Sequence, residues 1–295
     1  MNKQLFFVIS LFLALNIFSS CEKVIQLDLK TEKAQLVIEA VFNIDSTEQY
    51  VYLSKTVNFD NDGAGYPYTK GSVQLFDGEL LVKNFDQIKD GMFHATIEKG
   101  TLKVGKQYTL QVKDLEENTT HIATSTCPVK VELMKIQVNK NPPIFGRYNY
   151  QIIPVRNEPY GKNWYQFRLK KNKERIHKIF VDDDSYLNGK ETFKPILDAR
   201  EFSPDTTVNS MPKWIIKNGG AIELKDSVEA EVTLVNIEYK VFRYLYNLAL
   251  NQGQGGRQSA TPTNPDPIFT NGALGYFSIQ SSNTKEIWVN NKLKL

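Results

Sequence analysis

Short apolar runs separated by turn residues fill the chain from Gln35 onward, and their alternation indicates a mainly β fold. Successive side chains of a strand point to opposite faces, so apolar residues at every second position mark a half-buried strand. Asp77-Gly78 and Asp90-Gly91 are typical of tight turns between antiparallel strands. We therefore predict an immunoglobulin-like β-sandwich over residues 35–130. Its inward faces are expected to hold Leu36, Ile38, Val51, Leu53, Val73, Leu75, Tyr108, Leu110 and Val112.

A double proline after Asn141 precedes a second set of aromatic-rich apolar runs. Proline fixes its own φ and has no backbone N–H, so this pair stiffens the chain and withholds two hydrogen-bond donors. We therefore assign residues 131–295 to a separate C-terminal β domain. Its strands are predicted near residues 148–153, 164–169, 228–235, 275–279 and 286–289.

Residues 237–251 depart from the β pattern, because their apolar side chains recur at helical spacing. Asn236 can cap the start of such a helix and Gly253 can end it. The expected fold is therefore a sandwich followed by a second β domain with one α-helix. The residues expected on the buried face of the helix are Ile237, Val241, Tyr244, Leu245 and Leu248.

The first twenty residues read as a secretory signal peptide: Lys3 is basic, residues 5–18 are apolar except for Ser10 and Asn16, and Ser19-Ser20 are small. The apolar run is shorter than the roughly 20 residues that a membrane helix needs. Cys21 follows at the place where a lipoprotein peptidase cuts, so we predict its acylation, with palmitate among the chains, and a lipidated tether over residues 21–34. Several acyl chains anchor a protein stably. Cys127 is then the remaining cysteine, expected as a buried thiol.

The charge balance argues against nucleic acid as a partner. The chain has 36 Lys and Arg residues against 33 Asp and Glu residues, whereas nucleic-acid binding proteins carry a marked basic surplus. Hydrophobic residues make up 41% of the sequence, which is enough to build one large core or two smaller ones.

Three consecutive aspartates raise the question of a metal site, with Asp182 and Asp184 as possible Ca²⁺ ligands. Carboxylates are the hard oxygen ligands that Ca²⁺ prefers. The spacing departs from that of an EF-hand, because Gly189 occupies the eighth place of the loop rather than the sixth. An acidic turn between two strands is the simpler interpretation, and the sequence leaves both open.

Catalytic and cofactor motifs are missing from the sequence. His94, His121 and His177 have no His or Cys partner at metal-ligand spacing. No Gly-x-Ser-x-Gly arrangement occurs. The glycine-rich run at residues 253–256 follows a predicted helix, whereas a phosphate-binding loop opens one. We therefore expect no enzyme activity and no cofactor.

Tyrosine and tryptophan rings outside the predicted strands are candidates for ligand or partner binding. Exposed rings stack on sugars and on partner loops, although most rings in β proteins pack in the core or across strands. Glycines at 63 and 65 let the following loop project, and it carries Tyr66 and Tyr68. Together with Trp214, these two tyrosines are our candidate binding residues.

Several segments, in this order, resemble a Bacteroidota family of outer-membrane lipoproteins that contain a domain of unknown function. The resemblance covers nearly the whole mature chain. The segments are Cys21-Glu-Lys-Val-Ile with Leu27-Asp-Leu29, Leu36-Val-Ile-Glu-Ala40, Val181-Asp-Asp-Asp-Ser-Tyr-Leu-Asn-Gly189, Glu238-Tyr-Lys-Val-Phe242 and Asn271-Gly-Ala-Leu-Gly-Tyr-Phe277.

Members of that family are often encoded beside TonB-dependent receptors of the SusC type. The resemblance implies a lipid-anchored outer-membrane protein that binds a small molecule, a glycan or a partner receptor as an accessory. Whether it faces the cell surface or the periplasm is open. A structural or assembly role in an outer-membrane complex is one alternative, and a hydrolase of unknown substrate is another. Three triplets starting at Asp45, Asp205 and Asp226 also resemble the O-glycosylation signal of this phylum.

Overall fold

Alternation of apolar and polar side chains produces strands through most of the described chain. The computed structural model describes residues 33–57, 65–144, 147–156, 159, 161–177, 179–183, 197–198, 228–251 and 265–289. The elements below all lie in one compact unit, which comprises residues 34–57 and 63–295.

Seventeen strands and one α-helix are defined in these residues. The first eight strands are β1 (Leu36–Asn43), β2 (Glu48–Lys55), β3 (Tyr66–Pro67), β4 (Gly71–Asp77), β5 (Leu80–Lys89), β6 (Met92–Thr96), β7 (Gln107–Asp114) and β8 (Thr119–Thr126). The others are β9 (Leu133–Ile144), β10 (Arg147–Arg156), β11 (Trp164–Lys171), β12 (Glu174–Arg175), β13 (Phe180–Asp183), β14 (Leu197–Asp198), β15 (Val228–Ile237), β16 (Leu274–Gln280) and β17 (Ser282–Val289), with helix α1 (Tyr239–Asn251) between β15 and β16.

The first sheet wraps nearly closed around one core. Its order is β16-β1-β2-β6-β5-β4-β7-β8, with β3 added beside β2. All nine residues expected on the inward faces are buried, from Leu36 at 6% exposure to Val112 at 0%. The alternation in the sequence therefore identified which side of each of these strands faces the core.

Side chains rather than a strand ladder join the two ends of the first sheet. The Ser125 hydroxyl on β8 accepts a hydrogen bond from the Ile279 N–H on β16 at 2.8 Å and donates one to the Glu238 carboxylate at 2.8 Å. Further along β8, the Thr270 hydroxyl accepts from the Ile122 N–H at 2.9 Å. These hydrogen bonds give polar groups of the edge strand β8 partners that a neighbouring strand would otherwise supply. We call this junction of β8 with β16 and Glu238 the seam.

Strand β16 pairs with β1 in parallel, although the rest of the first sheet is antiparallel. Gly275 lies opposite Ile38 in this pair. Its φ is +101°, and an added Cβ would collide with the Ile38 carbonyl. Only glycine combines that backbone conformation with so close an approach of the neighbouring strand.

Two further sheets follow in the chain. One has the order β14-β10-β9, and the other runs β12-β11-β15-β17 with β13 paired to β11. The double proline lies inside β9, which is an edge strand of its sheet and so tolerates residues without an N–H. The second core contains Val131, Leu133, Tyr165, Phe167, Leu169, Ala230, Val232 and Leu234.

Helix α1 confirms the predicted helix, with its start moved to Tyr239 because β15 continues through Ile237. Asn236 therefore does not cap the helix: it lies in β15, and its side chain donates to the Val129 carbonyl at 3.1 Å. Val241, Tyr244 and Leu245 are buried, as the spacing predicted.

The fold is mainly β with one helix among the described residues, which confirms the predicted fold class. A core enclosed by the nearly closed first sheet is compatible with the sandwich expected for residues 35–130. The boundary at residue 130 stays a prediction. The predicted signal peptide and the lipidated tether up to residue 32 lie outside the described residues.

Candidate functional site

A cleft of about 550 Å³ lies between the first sheet and the sheet that contains β11, β15 and β17. One wall is the outer face of β1, β2 and β16, and the other is formed by β11, β12, β15 and β17. We call it the intersheet cleft. Its volume is in the range of small-molecule sites, so we take it as the candidate binding site.

The first wall is aromatic. Val51 and Leu53 point into the core, so their neighbours Tyr50 and Tyr52 point outward into the cleft. In register across three strands, Tyr52 on β2, Glu39 on β1 and Tyr276 on β16 form one row. Tyr52 is 48% exposed, so its ring offers a surface on which a ligand can stack.

Neighbouring rings hold two of these tyrosines in place. The ring of Tyr50 lies 4.9 Å from the ring of His94, and that of Tyr276 lies 5.4 Å from that of Tyr244 on α1. Burial raises the pKa of Tyr276, and burial also raises the pKa of Tyr244 to about 12. Both phenols are therefore neutral donors at physiological pH.

The opposite wall is polar and positively charged. Arg168 on β11, Thr233 on β15 and Thr284 on β17 form a row in register across three strands. The two threonine hydroxyls lie 2.9 Å apart and hydrogen-bond each other. Lys170 and Glu231 form an ion pair at 2.8 Å beside this row.

Arg168 is the most unusual charge in the cleft. Its guanidinium donates two hydrogen bonds to the Gln166 amide oxygen, at 3.2 and 3.0 Å. Burial is the main cause that lowers the pKa of Arg168, while Tyr276 raises it and the charge of Arg175 lowers it. A partly buried cation is thus held by a neutral acceptor, with a second cation close enough to repel it.

The tyrosines predicted as binding residues occupy different environments, and neither lines the cleft. Tyr66 is 62% exposed at the start of β3. Tyr68 is 6% exposed, with the ammonium of Lys55 4.5 Å from its ring centroid. The Tyr68 hydroxyl donates to the buried Asp114 carboxylate at 2.5 Å. The contacts of Tyr68 therefore indicate a structural role, whereas the ring of Tyr66 is exposed to solvent.

Asp114 accepts two more hydrogen bonds at the same oxygen, from the backbone N–H groups of Glu116 and Glu117 at 2.8 and 2.9 Å. Burial alone would raise the pKa of Asp114, but the hydrogen bonds from Tyr68 and these two amides lower it overall. Burial and the adjacent carboxylate raise the pKa of Tyr68. This pair is a charged hydrogen-bond centre inside the first core.

Asp182 lies on β13, opposite Tyr165 on β11. Its carboxylate is 3.7 Å from the guanidinium of the fully buried Arg156, which stacks 3.9 Å from the centroid of the Tyr165 ring. Asp182 therefore balances a buried cation. In the described ranges, no group of three His, Cys, Asp or Glu side chains is arranged to hold a metal. Asp184, Trp214 and Cys21 lie outside the described residues.

A second exposed feature is a line of neighbouring aromatic rings that runs from Trp164 on β11 along α1. Trp164 and Tyr239 lie 5.0 Å apart, Tyr239 and Phe242 6.4 Å, and Phe242 and Tyr246 5.9 Å, measured between ring centroids. Tyr239 and Tyr246 are each nearly half exposed. We call these four residues the aromatic strip.

The sequence reasoning did not find the cleft residues. The sequence does indicate which residues of each alternating strand point away from the core. Tyr50 and Tyr52 flank the buried Val51, and Arg168 and Lys170 flank the buried Leu169. Nothing in the sequence shows that these two outward faces meet, because they belong to separate sheets.

Within the described part of the chain, no helix has the length and hydropathy needed to cross a membrane.

Comparison with known proteins identifies a family. No curated protein matches the sequence. The family described as "domain of unknown function (DUF4249)" matches residues 22–286, which is most of the chain and agrees with the resemblance to a family with a domain of unknown function. The protein therefore belongs to the DUF4249 family.

Proposed function

We propose that this protein is a lipid-anchored outer-membrane protein that binds a ligand in the intersheet cleft and releases it unchanged. In this proposal it is an accessory to a TonB-dependent receptor of the SusC type. The observation that carries the proposal is the cleft itself, with an exposed aromatic ring on one wall and, on the other, a cation that donates to a neutral amide. Such a combination is typical of binding sites, where apolar surface supplies affinity and a few polar groups fix orientation.

The charges of the cleft support binding rather than turnover. A general base must be able to accept a proton near neutral pH. Of the two carboxylates that line the cleft, Glu231 is held in an ion pair with Lys170 at 2.8 Å. Glu39 belongs to the opposite wall. A hydrolase with a single unassisted carboxylate would lack the paired acid and base that hydrolysis commonly uses.

The binding proposal is tested with the full chain purified in detergent. The chain is incubated with a pool of oligosaccharides and short peptides, separated from unbound material, and the retained molecules are identified by mass spectrometry. A Thr233→Trp variant fills the cleft and should retain none of them, whereas Thr109→Trp on β7, outside the cleft, should behave as the parent. Retention that is equal in both variants would place binding elsewhere, and shortened molecules would show hydrolysis.

The anchor is a separate part of the proposal and has its own test. A Cys21→Ala variant should leave the membrane fraction, because the acyl chains provide most of the binding free energy at about 0.8 kcal/mol per buried methylene. Mass spectrometry of the mature amino terminus should show a diacylglycerol and a fatty acid on Cys21. A variant that stays in the membrane as fully as the parent contradicts this anchor.

Assembly with an outer-membrane partner is a second candidate function, and the aromatic strip favours it. Large, half-exposed rings are enriched at protein interfaces. Replacing Tyr239 and Tyr246 together by Ser should then reduce co-purification with the SusC-type receptor. Leu80→Ser, at an exposed position of β5, serves as the control. Unchanged co-purification of the double variant would remove this function for the strip.

A further inference from the structure

We propose that the intersheet cleft is selective for an organic anion, whose carboxylate, phosphate or sulfate group is bound by Arg168 and Arg175. This inference rests on the proposed ligand-binding function and narrows it to one chemical class. The body of the ligand lies against the tyrosine wall.

The hydrogen bonding of Arg168 is incomplete. A guanidinium carries five N–H groups. Arg168 uses two of its nitrogens, Nε and Nη2, to donate to the single Gln166 amide oxygen. Within the described residues it has no ion pair. Partly buried cations are normally balanced by an acid, so this guanidinium is set up to receive one from a ligand.

Arg175 places a second guanidinium at the cleft. It lies on β12, opposite Lys170 in the β11–β12 pair, and it lines the same cleft. In the described part of the chain its side chain makes no ion pair or hydrogen bond. Its charge acts on Arg168 and disfavours the charged form of that side chain. An anion between two guanidiniums would remove this repulsion and accept charge-assisted hydrogen bonds from both.

The remaining charged side chains of the cleft are distributed unevenly between its two walls. Lys170 and Glu231 neutralise each other at 2.8 Å, so they add little net field. Glu39 lies on the tyrosine wall, between Tyr52 and Tyr276 in the strand register. The cleft is therefore negative on one wall and positive on the other, which orients an acidic ligand with its charged group toward Arg168.

The tyrosine wall restricts the part of the ligand to which the acid group is attached. The exposed ring of Tyr52 and the ring of Tyr50 line the cleft, and each carries a hydroxyl group. Such rings stack on sugars and aromatic rings. An acid group attached to a sugar or an aromatic ring matches both walls, whereas a neutral sugar matches only one.

The test is equilibrium binding of four probes to the full chain in detergent, measured by titration calorimetry at low salt. The probes are glucuronate, benzoate, inorganic phosphate and, as the neutral counterpart, glucose. We expect at least one anion to bind with a dissociation constant below about 10 mM and glucose to bind at least about tenfold more weakly than glucuronate. Stronger binding of the two organic acids than of phosphate supports the proposal. Binding of phosphate alone overturns the selectivity for an organic anion. Absence of binding by all three anions overturns the proposal.

Variants connect the binding to the two arginines. Arg168→Gln and, separately, Arg175→Gln should each weaken anion binding by about tenfold or more, since each removes charge-assisted hydrogen bonds. Arg168→Lys keeps the charge and should retain part of the affinity. Arg243→Gln, on α1 outside the cleft, is the matched control and should bind as the parent. Because Arg175 is exposed, its variant keeps the test valid if the Arg168 variants fold poorly.

Two results separate the failure of this inference from failure of the proposed function. If the oligosaccharide and peptide pool yields only neutral ligands that are lost in Thr233→Trp, the cleft binds ligands but the anion selectivity is wrong. If anions bind equally well to the parent and to both arginine variants, the guanidiniums are not the anion site.

Discussion

Replacing Tyr68 by Phe removes one hydroxyl from the core and tests whether this tyrosine has a structural role. The hydroxyl donates to the Asp114 carboxylate at 2.5 Å, and the two residues are 6% and 1% exposed. A hydrogen bond to a charged group contributes about 1.5–3 kcal/mol. Asp114 keeps its two backbone donors in the variant, so we expect a loss near the middle of this range, about 2 kcal/mol. That corresponds to a fall in melting temperature of about 4–8 °C.

The effect should depend on pH with a definite sign. The folded-state pKa of Asp114 is lowered, with Tyr68 among the causes. Its charged form therefore adds stability that is present above the unfolded pKa of about 3.9 and is lost as pH falls through the lower folded value. Without the hydroxyl that pKa rises, so the difference in unfolding free energy between parent and variant should shrink as the pH drops below about 4.

The measurement is urea unfolding of both proteins at pH 7 and at the lowest pH at which they remain folded. Tyr66→Phe is the matched control, because Tyr66 is 62% exposed and only two residues away. Its free energy of unfolding should change by less than about 0.5 kcal/mol. Equal effects of the two substitutions, or a loss at Tyr68 that does not diminish at low pH, would refute the reasoning.

Three further predictions concern the core and the first sheet. Ser125→Ala should cost about 1–3 kcal/mol, because it leaves a buried N–H and the Glu238 carboxylate without their partner at the seam; a neutral effect in chemical denaturation would show that the seam does not stabilise the sheet. Gly275→Ala should cost about 3 kcal/mol or more, since its Cβ overlaps the Ile38 carbonyl at a positive φ, and a parent-like melting temperature would contradict this. Burial raises the pKa of Cys127 to about 12, so iodoacetamide at pH 8 should label residue 127 only after denaturation, as read by peptide mapping; rapid labelling of the folded chain would disprove it.

The sequence predicts local features of this fold well. Period-two alternation placed all nine expected core residues of the first sheet on the correct face, because burial of one strand face is a local constraint. Helical spacing located α1, but the start was wrong. Asn236 is a good capping residue in isolation, yet pairing with Tyr165 on β11 keeps it in β15. Here tertiary pairing outweighed a local preference.

The candidate site was not predictable from the sequence in the same way. Arg168 and Tyr52 each lie on the outward face of an ordinary alternating strand, where a polar or aromatic residue is unremarkable. They become candidate binding residues only because the two sheets that carry them face each other across the cleft, and no turn or spacing rule specifies how these sheets pack. The ring of Tyr68 shows the opposite case. A glycine-rich loop suggested a projecting tyrosine, but Asp114 on β7 provides a buried partner for its hydroxyl.

The pairing of β1 with β16 also has a consequence for biosynthesis. A ribosome completes β1 long before it reaches residue 274, so every nascent chain passes through a stage in which one side of β1 has no neighbour. Unpaired strand edges recruit other chains, and contacts between distant residues form slowly. A polypeptide cut short before residue 274 should therefore aggregate, and the intact one should reach its native state only after synthesis of β16.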